Sequence, residues 1–127
     1  MKSVIIDDER FAISLLSKMI FDNFPEISEL KTTNHPLEGI DLINTFKPEI
    51  LFIDIEMPHM NGFELLAEIK KDEKLKHLPV LMVTAEARKE DIVRAAQQGA
   101  AGYIVKPFTK ATLEDKVNLI LTKVGLK

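Results

Sequence analysis

Ile50-Leu51-Phe52-Ile53-Asp54, followed almost at once by Met57-Pro58-His59-Met60-Asn61-Gly62, is the stretch that decides the fold. Four consecutive apolar residues do not fit a strand with one wet face, which would alternate apolar and polar positions. They fit a strand buried on both faces, as in the middle of a parallel sheet covered by helices. The proline and the Asn-Gly pair then break the strand into a loop. A carboxylate, Asp54, is left at the point where buried strand becomes loop.

Working outward, the same alternation of short apolar runs with longer segments of helical period recurs five times, the pattern of strand-helix units around a parallel sheet. Val4-Ile5-Ile6 is a first strand. Phe11, Leu15 and Met19, flanked by Ala12, Leu16 and Ile20, repeat every four residues as an amphipathic helix that ends before Pro25. Residues 27–33 form a weaker strand candidate, after which Leu37, Ile40, Ile43 and Phe46 trace a second helix that stops before Pro48. Beyond the central strand come a third helix from Phe63 to Lys71, a strand Val80-Leu81-Met82-Val83, and a fourth helix from about Lys89 to Gln98. That helix closes on Gly99, a residue type suited to a left-handed cap. Gly102 to Val105 is the fifth strand, and Leu113, Val117, Ile120, Leu121 and Val124 line a closing helix. The methionines and phenylalanines read as core. The expectation is an α/β, doubly wound (βα)5 fold with helices on both faces of a five-stranded parallel sheet, its ligand site at the carboxyl ends of the strands.

Composition narrows the functional classes. A chain of 127 residues suits one compact domain, and 46% hydrophobic with 29% charged residues argues against disorder. A net charge of -3 without a Lys/Arg cluster gives no footprint for direct nucleic-acid binding. The absence of cysteine excludes disulfides, thiolate metal sites and cysteine nucleophiles. The apolar start gives way to acid by Asp7, too soon for a signal peptide or a membrane insertion, so a cytoplasmic address is expected.

Four of the five apolar runs end in a polar or charged side chain: Asp7-Asp8, Asp54, Thr84 and Lys106. Alone, each has an ordinary reading as a helix cap, a turn former or a solvated charge. Their joint placement at strand ends outweighs those readings. Three convergent carboxylates repel one another unless a cation intervenes, and an all-oxygen ligand set favours a hard ion such as Mg2+ over zinc. With a lysine and a hydroxyl nearby, such a site can hold a phosphoryl group in transit, and a carboxylate on a buried central strand is a suitable acceptor for it.

The same residues resemble the bacterial two-component response-regulator receiver family: Asp7-Asp8 after a strand, Asp54 with Met57-Pro58 and Asn61-Gly62, Thr84-Ala85, and Lys106-Pro107-Phe108. The likeness spans the chain. It is greatest over LPVLMVTAEA (78–87), AAQQGAAGYIVKPFT (95–109) and ATLEDKVN (111–118), which resemble the chemotaxis branch of the family. The resemblance implies a flavodoxin-like fold with strand order 2-1-3-4-5 and Asp54 as phosphoacceptor. It also implies a Mg2+ site made by Asp7, Asp8, Asp54 and the backbone carbonyl of Glu56, with Lys106 on the phosphoryl group and Thr84 moving to hydrogen-bond it. Tyr103 would be the second switch residue, and the Lys106-Pro107 bond would be cis.

Further expectations follow from the resemblance. A sensor histidine kinase would be the phosphodonor. A downstream protein, in the chemotaxis branch the flagellar motor switch, would bind a face made by the fourth helix, fifth strand and fifth helix, including Lys89, Ile92, Ala96, Tyr103, Val105 and Lys116. The chain would be a monomer, with dimerisation on phosphorylation as the alternative, and a signalling module rather than an enzyme. Residues 1–127 would form one receiver domain with no effector domain. The chain departs from the chemotaxis branch in Glu9-Arg10-Phe11 and in Glu56, where that branch carries asparagine; Glu56 and Glu86 would stand where water approaches the phosphoryl group.

Three readings compete with a stand-alone receiver: a receiver cut from a longer regulator, a magnesium phosphatase with an aspartyl nucleophile, and a flavodoxin-like cofactor binder. Such a phosphatase would carry its nucleophile in an Asp-x-Asp motif on the first strand, whereas the acceptor here follows the third. A cofactor binder needs a glycine- or hydroxyl-rich loop after the first strand, where Asp7-Asp8-Glu9 would repel phosphate.

Overall fold

The computed structural model describes residues 1–86, 88–123 and 125. In chain order these form β1 (Lys2–Ile6), α1 (Arg10–Asn23), β2 (Glu29–Thr33), α2 (Pro36–Phe46), β3 (Ile50–Asp54), α3 (Gly62–Lys71), β4 (Val80–Thr84), α4 (Lys89–Gln97), β5 (Gly102–Val105) and α5 (Lys110–Lys123). All five strands pair in parallel in the order β2-β1-β3-β4-β5, as expected.

The period of two along each buried strand divides the core. Val4, Ile6, Leu51, Ile53, Val80 and Met82 point to one side, where Ile43 of α2, Phe63, Leu66 and Ile69 of α3 and Ala95 of α4 cover them. Ile5, Ile50, Phe52, Leu81, Val83 and Ile104 point to the other, under Leu16 and Ile20 of α1 and Leu113, Val117, Ile120 and Leu121 of α5. Each fully buried side chain of this kind contributes on the order of 1.5–3 kcal/mol, so register is strongly fixed: a slip of one residue would exchange the two faces. The structure thus explains the uninterrupted apolar runs of β3 and β4, every residue of which is buried.

Some expectations need correction. Strand β2 begins at Glu29, not at residue 27; as an edge strand it is half-exposed and lacks an apolar run. In α1 the row Leu16–Ile20 faces the sheet, while the neighbouring row carries Phe11, 80% exposed, and Leu15, 51% exposed. Phe21 and Leu37 are likewise exposed, so not every phenylalanine is core. Adjacent four-residue rows differ by only about 100° around a helix, and periodicity alone did not tell which row packs. Val124, assigned to the closing helix, lies outside the described residues. Among the described residues no helix is long and apolar enough to cross a membrane.

Several local devices hold the strand ends in place. Asn61 caps α3 by accepting the Glu64 N–H, and Glu64 returns the bond to the Asn61 N–H, a reciprocal box readable as Asn-x-x-Glu. Gly62 packs so tightly that a Cβ there would fall 2.5 Å from the Asp54 carbonyl oxygen and 2.8 Å from Ile55 Cα. Gly99 has φ +87, the left-handed conformation expected after α4.

Candidate functional site

The parallel register brings the ends of β1, β3, β4 and β5 to one edge of the sheet. Asp7 follows β1, Asp54 ends β3 opposite Val83, Thr84 ends β4 opposite Val105, and Lys106 follows β5. Carboxylate oxygens of Asp7, Asp8 and Asp54 lie within 4.8 Å of one another. Asp7 is 4% exposed and Asp54 3% exposed, while Asp8 is more open to solvent.

Lys106 closes the cluster from the β5 side. Its Nζ donates to Asp7 Oδ2 at 2.9 Å and lies 3.3 Å from Asp54 Oδ1. The second contact is an ion pair that leaves Asp54 Oδ1 buried without a well-directed hydrogen bond. Burial alone would lower the Lys106 ammonium, but the hydrogen bond to Asp7 and the charges of Asp54 and Asp7 raise it above its ordinary value. Burial pushes the Asp54 carboxyl up to about 8, with the charges of Asp7 and Glu56 adding to the effect and Lys106 opposing it. Three formal negative charges therefore meet one positive charge in a poorly solvated niche. The clustered oxygens, the underused buried Oδ1 and the charge deficit together fit a hard divalent cation.

The ordinary readings of these residues are partly visible too. Asp7 Oδ1 accepts the Glu9 N–H at 3.0 Å, and the Thr84 hydroxyl accepts the Glu86 N–H at 3.1 Å, so both shape turns as well as facing the site. Lys106, by contrast, is no solvated terminal charge. The Lys106-Pro107 bond is cis, as the resemblance implies.

Two features were not foreseen. Glu56 was expected to offer its backbone carbonyl; its side chain reaches across to β4, where Oε1 accepts the Thr84 hydroxyl and the Ala85 N–H, both at 2.7 Å. A free carboxylate two residues past a strand end gives no sequence signal for such a contact. The exposed row of α1 also gains a context: Phe11, Leu15, Pro107 and Phe108 line an apolar groove that runs up to Asp7 and Lys106.

Away from the cluster, Tyr103 is half-buried against the α2–α4 side of the core, with Lys116 Nζ 4.7 Å from its ring centroid. Lys89 and Ala96 are exposed and Ile92, Val105 and Lys116 are half-buried, so the expected docking residues have accessible surface. Of the histidines, His35 caps α2 through Nδ1 and stacks with His59, and none joins the acidic cluster.

Residues 4–118 match the family described as response regulator receiver domain. The chain is 43% identical over 128 residues to the chemotaxis protein CheY-3 of Vibrio cholerae serotype O1, covering 98% of this chain and 94% of that one. It is 40% identical over 129 residues to the chemotaxis protein CheY of Pseudomonas aeruginosa, covering 98% and 99%. Among solved structures it is similar to the signal receiver domain of a DNA-binding response regulator from Colwellia psychrerythraea. That match has a TM-score of 0.88 at 24% identity, covers 96% and 98% of the two chains, and bears on fold alone.

Proposed function

The chain belongs to the response regulator receiver domain family, and from that premise we propose that it is a phosphorylation switch that takes a phosphoryl group on Asp54 from a sensor histidine kinase and then binds a protein target. The observation that carries this reading is the buried Asp54 carboxylate at the end of the central strand, 3.3 Å from Lys106 and clustered with Asp7 and Asp8.

In the proposed reaction an Asp54 carboxylate oxygen attacks the donor's phosphorus. The phosphorus–nitrogen bond to the donor histidine breaks, its electron pair returns to the imidazole, and an acyl phosphate forms on Asp54. Asp7, Asp8, Asp54 and the Glu56 carbonyl would hold Mg2+. When bound, the ion supplies positive charge that favours ionised Asp54 and balances the incoming phosphoryl oxygens. Lys106, fixed by Asp7, stabilises the charge on the transferring group, and Thr84 offers its hydroxyl to the product. The apolar groove beside Asp7 and Lys106 supports a protein donor docking there. This is one turnover of a switch, not enzymatic turnover of a substrate.

Phosphorylation shifts Thr84 and Tyr103 and remodels the face containing Lys89, Ile92, Ala96, Val105 and Lys116. Similarity to chemotaxis proteins across nearly the whole chain favours a target in that pathway, such as the flagellar motor switch, and a cytoplasmic location. The test is intact mass after incubation with Mg2+ and acetyl phosphate. The native chain should gain one base-labile phosphoryl group and Asp54→Asn none; equal labelling of both, or of neither, would overturn the assignment.

A further inference from the structure

Resting on that reading of Asp54, we infer that the Glu56 carboxylate is a built-in competitor for the phosphoryl group, occupying in the resting protein the two donors that the modified Asp54 must recruit. Its Oε1 takes both the Thr84 hydroxyl and the Ala85 N–H at 2.7 Å. These donors sit where β4 ends, one and two residues past Val83, the partner of Asp54 across the β3–β4 register. A tetrahedral anion on Asp54 needs donors on its β4 side, and Lys106 approaches from the β5 end. A hydroxyl has a single proton, so Thr84 cannot give it to a phosphoryl oxygen while Glu56 holds it.

The geometry favours competition over support. Glu56 is exposed, and no described ion pair anchors its carboxylate, so it can swing into water when displaced. Its negative charge adds to a niche already crowded by Asp7, Asp8 and Asp54. A charged acceptor bonding two neutral donors is a strong arrangement, and it must be broken before the anion can use either of them. Glu56 is therefore a positioning residue that sets the threshold of the switch: it holds the β4–α4 turn in its resting form and opposes the phosphorylated one. The turn is also closed by the Glu86 N–H, which donates to the Thr84 hydroxyl oxygen at 3.1 Å and uses none of its proton, so releasing Glu56 leaves that bond in place.

Binding of beryllofluoride with Mg2+, a non-covalent stand-in for the phosphoryl group, tests this by titration calorimetry on the parent, Glu56→Ala, Glu56→Gln, and each of these in a Thr84→Val background. Glu56→Ala should bind about tenfold more tightly than the parent, as expected for removing a charge-assisted competitor. Glu56→Gln, which keeps an accepting oxygen but no charge, should fall between them. The gain from Glu56→Ala should shrink by about half in the Thr84→Val background, where one contested donor is gone; a merely structural role for Glu56 would not produce that coupling. Nuclear magnetic resonance should show the Ala85 amide proton moving on binding far more in Glu56→Ala than in the parent, where one anionic acceptor replaces another. If the parent binds and Glu56→Ala binds no more tightly, the inference falls while the phosphoacceptor reading stands. If neither binds, the reading of Asp54 fails and takes the inference with it.

Discussion

Replacing Asp54 by asparagine should stabilise the cation-free protein, and by an amount that depends on pH. The Asp54 carboxyl is pushed from 3.8 up to about 8 in the folded state, chiefly by burial and secondarily by Asp7. Its folded form thus holds a proton that the unfolded chain releases near pH 4. Between those values the folded state binds more protons than the unfolded one, so this group's contribution to stability is fully present below about pH 4 and is lost as pH rises to about 8. At about 1.4 kcal/mol per pH unit the full loss approaches 6 kcal/mol, an upper bound. Relaxation of the site toward water would reduce it to roughly 3 kcal/mol.

Asparagine does not titrate and can keep an oxygen toward Lys106, which retains Asp7 at 2.9 Å. Urea unfolding in EDTA at pH 5, 7 and 9 should therefore show the variant's midpoint rising above the parent's by a gap that widens with pH. With slopes of about 1–3 kcal/mol per molar urea, the gap should reach roughly 1–3 M at pH 9. Saturating Mg2+ at pH 9 should close much of it by stabilising the parent more than the variant, which lacks the Asp54 charge. A gap independent of pH, or a parent that is the more stable at pH 9, would refute the electrostatic picture of the site.

Three other outcomes are expected. Mg2+ at ten times its dissociation constant should stabilise the native chain by about 1.4 kcal/mol, a rise of several degrees in melting temperature, and Asp8→Ala should lose most of that rise by differential scanning fluorimetry. Gly62→Ala, whose Cβ would meet Asp54 and Ile55 backbone, should cost about 1–3 kcal/mol in chemical denaturation. Gly39→Ala should cost less, because its closest obstacle is the Ile6 Cδ1 methyl at 2.5 Å and alanine favours the helix; the reverse order would show the strand end to be the softer site. Lys116→Glu should weaken target binding at least fivefold by interferometry while leaving labelling by acetyl phosphate unchanged, and loss of both would mean that the docking face is misplaced.

How much of this was legible in the sequence follows from what each signal physically encodes. Apolar runs report burial on both sides, and the strands β1, β3 and β4 were found because the sheet is covered on both faces, while the edge strand β5 was found because it still carries Tyr103-Ile104-Val105. Strand β2 was blurred because an edge strand is half-wet and carries Glu29 and Lys31. Residues at strand ends could be gathered into one site because a parallel sheet brings every carboxyl end to the same edge, which is a property of topology and needs no side-chain detail. Rotation of α1 about its axis was not legible, since two adjacent apolar rows satisfy the same period; the row left over, Phe11 and Leu15, borders the groove beside the site.

Glu56 marks the other limit. Its backbone carbonyl was expected at the metal site, but which way a flexible carboxylate turns depends on donors brought near by the fold. Here those donors are Thr84 and Ala85, nearly thirty residues away in the chain and reached only because β3 and β4 pair in register. Both limits arise in the same way. A pattern along the chain reports whether a side chain is buried and where its backbone ends, whereas the partner it selects is fixed by neighbours across the sheet. The contacts of Glu56 with Thr84 and of Lys106 with Asp7 and Asp54 are all of the second kind. Substitution of Glu56 should therefore alter the proposed switching threshold far more than the fold, and the beryllofluoride titration of Glu56→Ala set beside its urea midpoint measures that separation directly.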